Sequence, residues 1–138
     1  MSAAIADVKE RIDTIESCYE FFIAYAAQGL TTDEGAKSGG QLRDFLGSLE
    51  GALDGLADQL EAAVESSEPA EAWATMVSVV RADASATLAA VRLVSAQRGV
   101  SSQLIDNLNA NMHLRAILTD GFLVDTLTDG FLADASAD

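Results

Sequence analysis

Cysteine, histidine, proline and positive charge are all scarce in this chain. Its 138 residues hold one Cys, one His and one Pro, and 8 Lys and Arg against 22 Asp and Glu, a formal charge of −14. One cysteine, Cys18, allows no internal disulfide, so nothing points to an oxidising compartment. A Cys/His zinc centre needs about four ligands, and Cys18 and His113 supply two. A di-iron bundle needs Glu-x-x-His pairs, but Ala110 stands three residues before His113. No phosphate-binding Gly loop and no nucleophile elbow occurs. No metal, cofactor or catalytic residue is therefore expected.

The shortage of cations excludes nucleic acid as a partner, because little here can replace the counterions on phosphates. An anionic membrane surface is disfavoured for the same reason. The most apolar stretch, Cys18 to Leu30, is 13 residues long and contains Glu20, short of the roughly 20 residues of a membrane span. The N-terminus has no basic segment leading into an apolar one, so a cytoplasmic protein without membrane insertion is the expectation.

What the chain does have is apolar residues, 49% of the total, arranged with helical periodicity. Ile5, Val8, Ile12, Ile15, Tyr19, Phe22 and Ala26 are spaced alternately three and four apart, a heptad seam. Gly29 suits the C-terminal stop, and Thr31 with Glu34 offers a capping box for the next helix. Leu42, Leu46, Leu49, Leu53, Leu56, Leu60 and Ala63 form a second seam, its opening turns weakened by Gly35, Gly39 and Gly40. Trp73, Val77, Val80, Ala84, Thr87, Val91 and Val94 form a third, preceded by Pro69 at a first-turn position and closed by Arg98-Gly99. Ser101 or Ser102 caps a fourth helix carrying Leu104 or Ile105, Leu108, Met112 and Ile117 or Leu118. No segment alternates like a strand. The expected fold is all-α: an antiparallel up-down bundle of four helices over residues 1–117, with a short C-terminal repeat tail over 118–138.

Four features call for explanation. Gly47, Gly51 and Gly55 lie four apart, roughly opposite the Leu seam, and the third helix has a matching small-residue stripe at Ser78, Ala82, Ala86 and Ala90. Such ridges let backbones approach closely, in a dimer or against a partner helix. The alternatives are packing of the second helix on the third within one bundle, or tolerated surface glycines. The first helix ends in Cys18, Tyr19, Phe21, Phe22, Ile23 and Tyr25, apolar round most of its circumference. Such a helix must be covered on all sides, either by an oligomer contact or a partner's groove over Phe21, Phe22 and Tyr25, or by the fourth helix or the tail folding back over Phe21. From Asp44 to Val80 there are eight acidic residues and no basic one. Glu50, Asp54 and Asp58 are expected to share one helical face, as a solvated surface or as a dock for a basic partner.

The fourth feature is a tandem duplication. Residues 118–126 and 127–135 match at seven of nine positions, each reading Leu-Thr-Asp-Gly-Phe-Leu. Nine residues turn a helix by about 900°, so the two Phe-Leu pairs fall on opposite faces. Each repeat is expected to be its own small unit, with Asp-Gly as a turn or helix break. Phe122 and Leu123, with Phe131 and Leu132, would then be a bivalent docking motif or an arm wrapping the bundle. The tail resembles the short Gly- and Leu-containing cargo-loading peptides of encapsulin shells, without the basic residues often found there.

Surplus apolar surface with few chemical groups points to a non-enzymatic scaffold, adaptor or assembly protein. It would act through another protein or through copies of itself as a homo-oligomer. In size, charge and helical class the chain is also similar to the acidic export chaperones of secretion and flagellar systems. A reading of another class is a ligand binder or enzyme with a pocket inside the bundle, using Cys18, Tyr19, Tyr25 and His113.

Overall fold

The computed structural model describes the backbone of residues 3–137 and the side chains of residues 3–129. Its described residues form six helices and no strand: α1 (Ala3–Ala27), α2 (Lys37–Leu53), α3 (Leu56–Ala63), α4 (Ala70–Ser95), α5 (Ser102–Ala110) and α6 (Met112–Ala137). The all-helical class is as expected. The number of helices is not, because the second and fourth expected helices are each broken in two. The second breaks at Gly55, whose φ of +93° is left-handed and lies outside any helix. The fourth breaks at Asn111, whose extended backbone separates α5 from α6. The Asn111 side chain then starts α6 by accepting from the His113 N–H at 2.9 Å.

The first and third expected helices, α1 and α4, are unbroken, and each packs against both the α2–α3 pair and the α5–α6 pair. Between them lies one continuous apolar core. Every position of the Trp73–Val94 seam is buried, as are Leu42 to Leu60 of the Leu seam. On α1 the buried line begins as expected at Ile5, Val8, Ile12 and Ile15, then moves to Cys18, Phe22 and Tyr25 in place of Tyr19 and Ala26. The step from Ile15 to Cys18 is three residues where the heptad asks for four, so the buried line turns further round the helix than a 3.5-residue repeat would carry it.

The Thr31–Glu34 capping box does not form. The Glu34 N–H reaches Thr32 Oγ1 at 3.3 Å, and α2 begins only at Lys37. Asp33 is drawn inward instead. Its carboxylate accepts from Arg43 Nε at 2.8 Å and from the Val100 N–H at 2.7 Å. The Arg43 guanidinium also donates to the carbonyls of Ser95, Gln97 and Arg98, satisfying the C-terminal end of α4. Arg11 does the same for α2, donating to the carbonyls of Gly51, Ala52 and Asp54 while paired with Asp7. Two guanidiniums thus occupy the negative ends of two helix dipoles.

The tandem repeat does not break the chain. α6 runs through Asp120-Gly121 without interruption, so the boundary expected between 117 and 118 falls inside a helix. Gly121 is there for packing. A Cβ at this position would stand 3.3 Å from the Ile12 side chain, which marks the close approach of α6 to α1. Lys9 of α1 holds the same contact from the side, bridging Asp125 at 2.8 Å and Asp129 at 2.7 Å. Burial alone would lower the Lys9 pKa, but the hydrogen bonds and charges of the two carboxylates outweigh it and hold the ammonium above its usual range.

Candidate interaction surface

Helix α6 turns Leu114, Ile117, Leu118, Gly121, Val124 and Thr128 into the core. Among the described residues four of its large apolar side chains stay outside: Met112 at its start, and Leu123, Leu127 and Phe122, the last three respectively 53%, 46% and 44% exposed. Leu123 and Leu127 are not scattered. With Pro69, Ala72, Trp73 and Met76 of the α4 side they line a groove of about 380 Å³, closed at one end by Glu68. The α4 wall is a second heptad line, Pro69, Ala72, Met76, Val79 and Asp83, flanking the buried Trp73–Val94 seam. The α6 wall is the line Asp120, Leu123, Leu127. Both lines are apolar along the groove and end in aspartate.

Those two aspartates face each other across α4 and α6. Asp120 lines a narrow apolar gap against Val8, Ile12, Leu60 and Val124, and its Oδ2 is buried without a hydrogen-bond partner among the described residues. Burial, and then the Asp83 carboxylate beside it, push the Asp120 pKa up to about 7. The sign of the pH effect follows. A carboxyl raised in the folded state keeps its proton between about pH 4 and 7 while the unfolded chain has lost it, so stability falls as pH rises through that window. Asp120→Asn, which can donate to Asp83, is expected to remove this fall. It should stabilise the protein by about 1 kcal/mol at pH 7.5, discounted for partial exposure, with no gain at pH 4. Urea unfolding of both proteins at the two pH values checks this. A variant equally or less stable at pH 7.5 would show that the carboxyl is well solvated.

The other residues singled out in the sequence are dispersed. Phe22 and Tyr25 are fully buried, and the Tyr25 hydroxyl donates to the Val100 carbonyl at 2.7 Å. Phe21 is half-buried and stacks on Phe45 of α2, centroids 4.2 Å apart. Phe21 is therefore partly covered from within the chain by a residue of the Leu helix, while Ile23 of the same end is 53% exposed. Gly47 and Gly51 are exposed on α2 with open space before them, and Gly55 lies in the α2–α3 turn. The three glycines form no common ridge, and for the same reason Glu50, Asp54 and Asp58 share no helical face. Glu50 pairs with Arg92, and Asp58 and Glu61 pair with Arg81. The side chains of Phe131 and Leu132 lie outside the described residues.

Cys18 and His113 are not brought together. The Cys18 thiol is buried and donates to the Phe45 carbonyl, and burial pushes its pKa up to about 11. His113 is exposed at the start of α6. Among the described residues no group of three or more His, Cys, Asp or Glu could hold a metal ion, and no helix is long and apolar enough to cross a membrane.

The α4–α6 groove went unnoticed in the sequence, although its signal was present. Two apolar lines one residue apart on α4, at 73-77-80 and at 72-76-79, make that helix wider on its oily side than one partner requires. No protein-family model, curated protein or solved structure matches this chain.

Proposed function

We propose that the protein is a non-enzymatic helical adaptor or scaffold acting through protein–protein contact, with the α4–α6 groove as the contact surface. The observation that carries this reading is the pair Leu123 and Leu127, half exposed beside Met76 and Trp73 in one apolar groove. Such a contiguous apolar strip is the kind of surface by which proteins meet. The dispersal of Cys18, Tyr25 and His113 leaves the alternative of a catalytic pocket without a supporting cluster. Self-association through the same strip is part of the proposal. At −14 per chain it is opposed by mutual repulsion, so added salt should favour it.

Light scattering tests the reading. At about 0.5 M NaCl, beyond the range of strong charge repulsion, the wild-type mass is expected to rise above the monomer with concentration. Leu127→Glu should remove the rise while leaving the helical circular dichroism unchanged. Masses that superimpose for the two proteins at every salt and protein concentration would refute self-association through this strip.

A further inference from the structure

The groove carries charge as well as oil, and the charge has one sign. Glu68 lines one end, and beyond the other the two wall lines continue by helical register to Asp83, past Met76 and Val79 on α4, and to Asp120, one turn before Leu123 on α6, where the two carboxyls neighbour each other. The two basic residues of α4 are turned elsewhere: Arg81 to Asp58 and Glu61, Arg92 to Glu50. From Ala116 to the end of the chain there is no Lys or Arg at all, and none occurs between Asp44 and Val80. A second copy meeting this groove with its own would bring the same acids and no cation between Asp44 and Val80 or after Arg115, so its docking needs screening salt, which a basic partner does not.

Deepening the adaptor reading, on which it rests, we infer that the groove receives an amphipathic helix of another protein whose apolar face is flanked at both ends by Lys or Arg. Length follows from the walls. From the cap Pro69 to Asp83 is 14 residue steps along α4, about 21 Å at the helical rise, or roughly four turns of a partner lying alongside. The occupant's apolar positions would follow a heptad line against Met76, Val79, Leu123 and Leu127, in the helix-in-groove mode. Its terminal cations would meet Glu68 on one side and the Asp83–Asp120 pair on the other. Charge on the rim selects the partner and sets its approach, while the apolar floor holds it.

Trp73, the only tryptophan in the chain, lies in the groove wall and reports occupancy directly. The probe is an 18-residue Leu/Lys helical peptide without aromatics, its Leu positions at heptad spacing and Lys at both ends of the Leu face. A Leu/Glu peptide with the same Leu positions is the control. The Leu/Lys peptide should change Trp73 emission saturably, with affinity falling as salt rises, and the Leu/Glu peptide should not bind. Leu127→Ser is expected to weaken binding about tenfold, the size expected for one apolar anchor. Asp83→Asn with Asp120→Asn should weaken it by a similar factor and flatten its salt dependence. Asp44→Asn with Asp54→Asn, acids remote from the groove, should change it less than about twofold. Equal weakening by the remote pair would mean a diffuse acidic surface and would overturn the proposal. So would absence of peptide binding. If salt-promoted self-association were seen without peptide binding, the occupant would be a second copy, and the adaptor reading would stand without this one.

Discussion

Replacing Asp33 with alanine is expected to lower the unfolding free energy by about 3 kcal/mol, and the melting temperature by roughly 10 °C. The size follows from what the carboxylate holds. Its side chain is only 7% exposed, it pairs with Arg43, and it accepts the N–H of Val100 in the core. Truncation leaves that N–H buried without an acceptor and leaves a partly buried guanidinium without its counter-charge, the costly half of breaking an ion pair. It also loosens Arg43 from the carbonyls of Ser95, Gln97 and Arg98, so the end of α4 loses its cap. Asp33→Asn keeps an acceptor and should lose about half as much. The pH dependence has a definite sign. The hydrogen bond from Arg43, helped by that from Val100, holds the Asp33 carboxyl below the usual range in spite of burial. A lowered carboxyl contributes stability that is present above the unfolded-state value near 4 and is lost as pH falls through the folded-state value. Wild type should therefore lose its advantage over Asp33→Asn below about pH 4, at the opposite end of the scale from the Asp120 effect. Urea unfolding followed by circular dichroism measures both. A loss under about 1 kcal/mol for Asp33→Ala at pH 7 would show that this junction contributes little.

The parts of this architecture legible in the sequence are those set by side-chain periodicity. Leu42 to Leu60 and Trp73 to Val94 face inward because apolar positions three and four apart share one side of a helix, whatever else the chain does. The break at Gly55 was hidden by the same regularity, since the spacing from Leu53 to Leu56 keeps the heptad count across the turn. Gly55 therefore read as one more member of a glycine ridge, when its left-handed backbone is its reason for being there. The break at Asn111 had a signal, an Asn in position to cap the following helix, but it was masked by the continuing apolar count through Met112. Met112 itself is 76% exposed.

The roles of Arg11 and Arg43 had no local signal at all. Each donates to carbonyls 40 or more residues away, and nothing near either arginine marks the end of a distant helix as its target. The excess of Arg over Lys, six to two, was the only hint. A planar guanidinium can satisfy several carbonyls at once while pairing with a carboxylate, which the compact ammonium of Lys does less well. The groove was missed for a related reason. Leu123 and Leu127 gain meaning only when α6 runs unbroken past Asp120-Gly121 and lies antiparallel beside Met76, a tertiary fact that the repeat, read locally as a turn, concealed.

Glycines on one helix separate the packing explanation from the docking one. Gly39→Ala is expected to cost about 3 kcal/mol or more, because a Cβ at this buried position runs directly into the backbone carbonyl of Asp33. That carbonyl accepts the Ala36 N–H in the turn leading into α2, so neither atom can retreat without opening the turn that seats the Asp33 carboxylate against Val100. Gly47 and Gly51, two and three turns further along, face open space. There alanine should stabilise the helix by about 0.5–1 kcal/mol each, the ordinary gain from lower chain entropy in the unfolded state. The three single variants, unfolded in urea under one condition, give opposite signs if this geometry is right. A dimer built on a glycine ridge would behave differently: alanine at Gly47 and Gly51 would weaken association in light scattering, and the variants would lose stability at high protein concentration. Unchanged mass with raised stability would leave the α4–α6 groove as the surface to pursue, and would identify the α2 glycines as exposed sites that can be filled without loss.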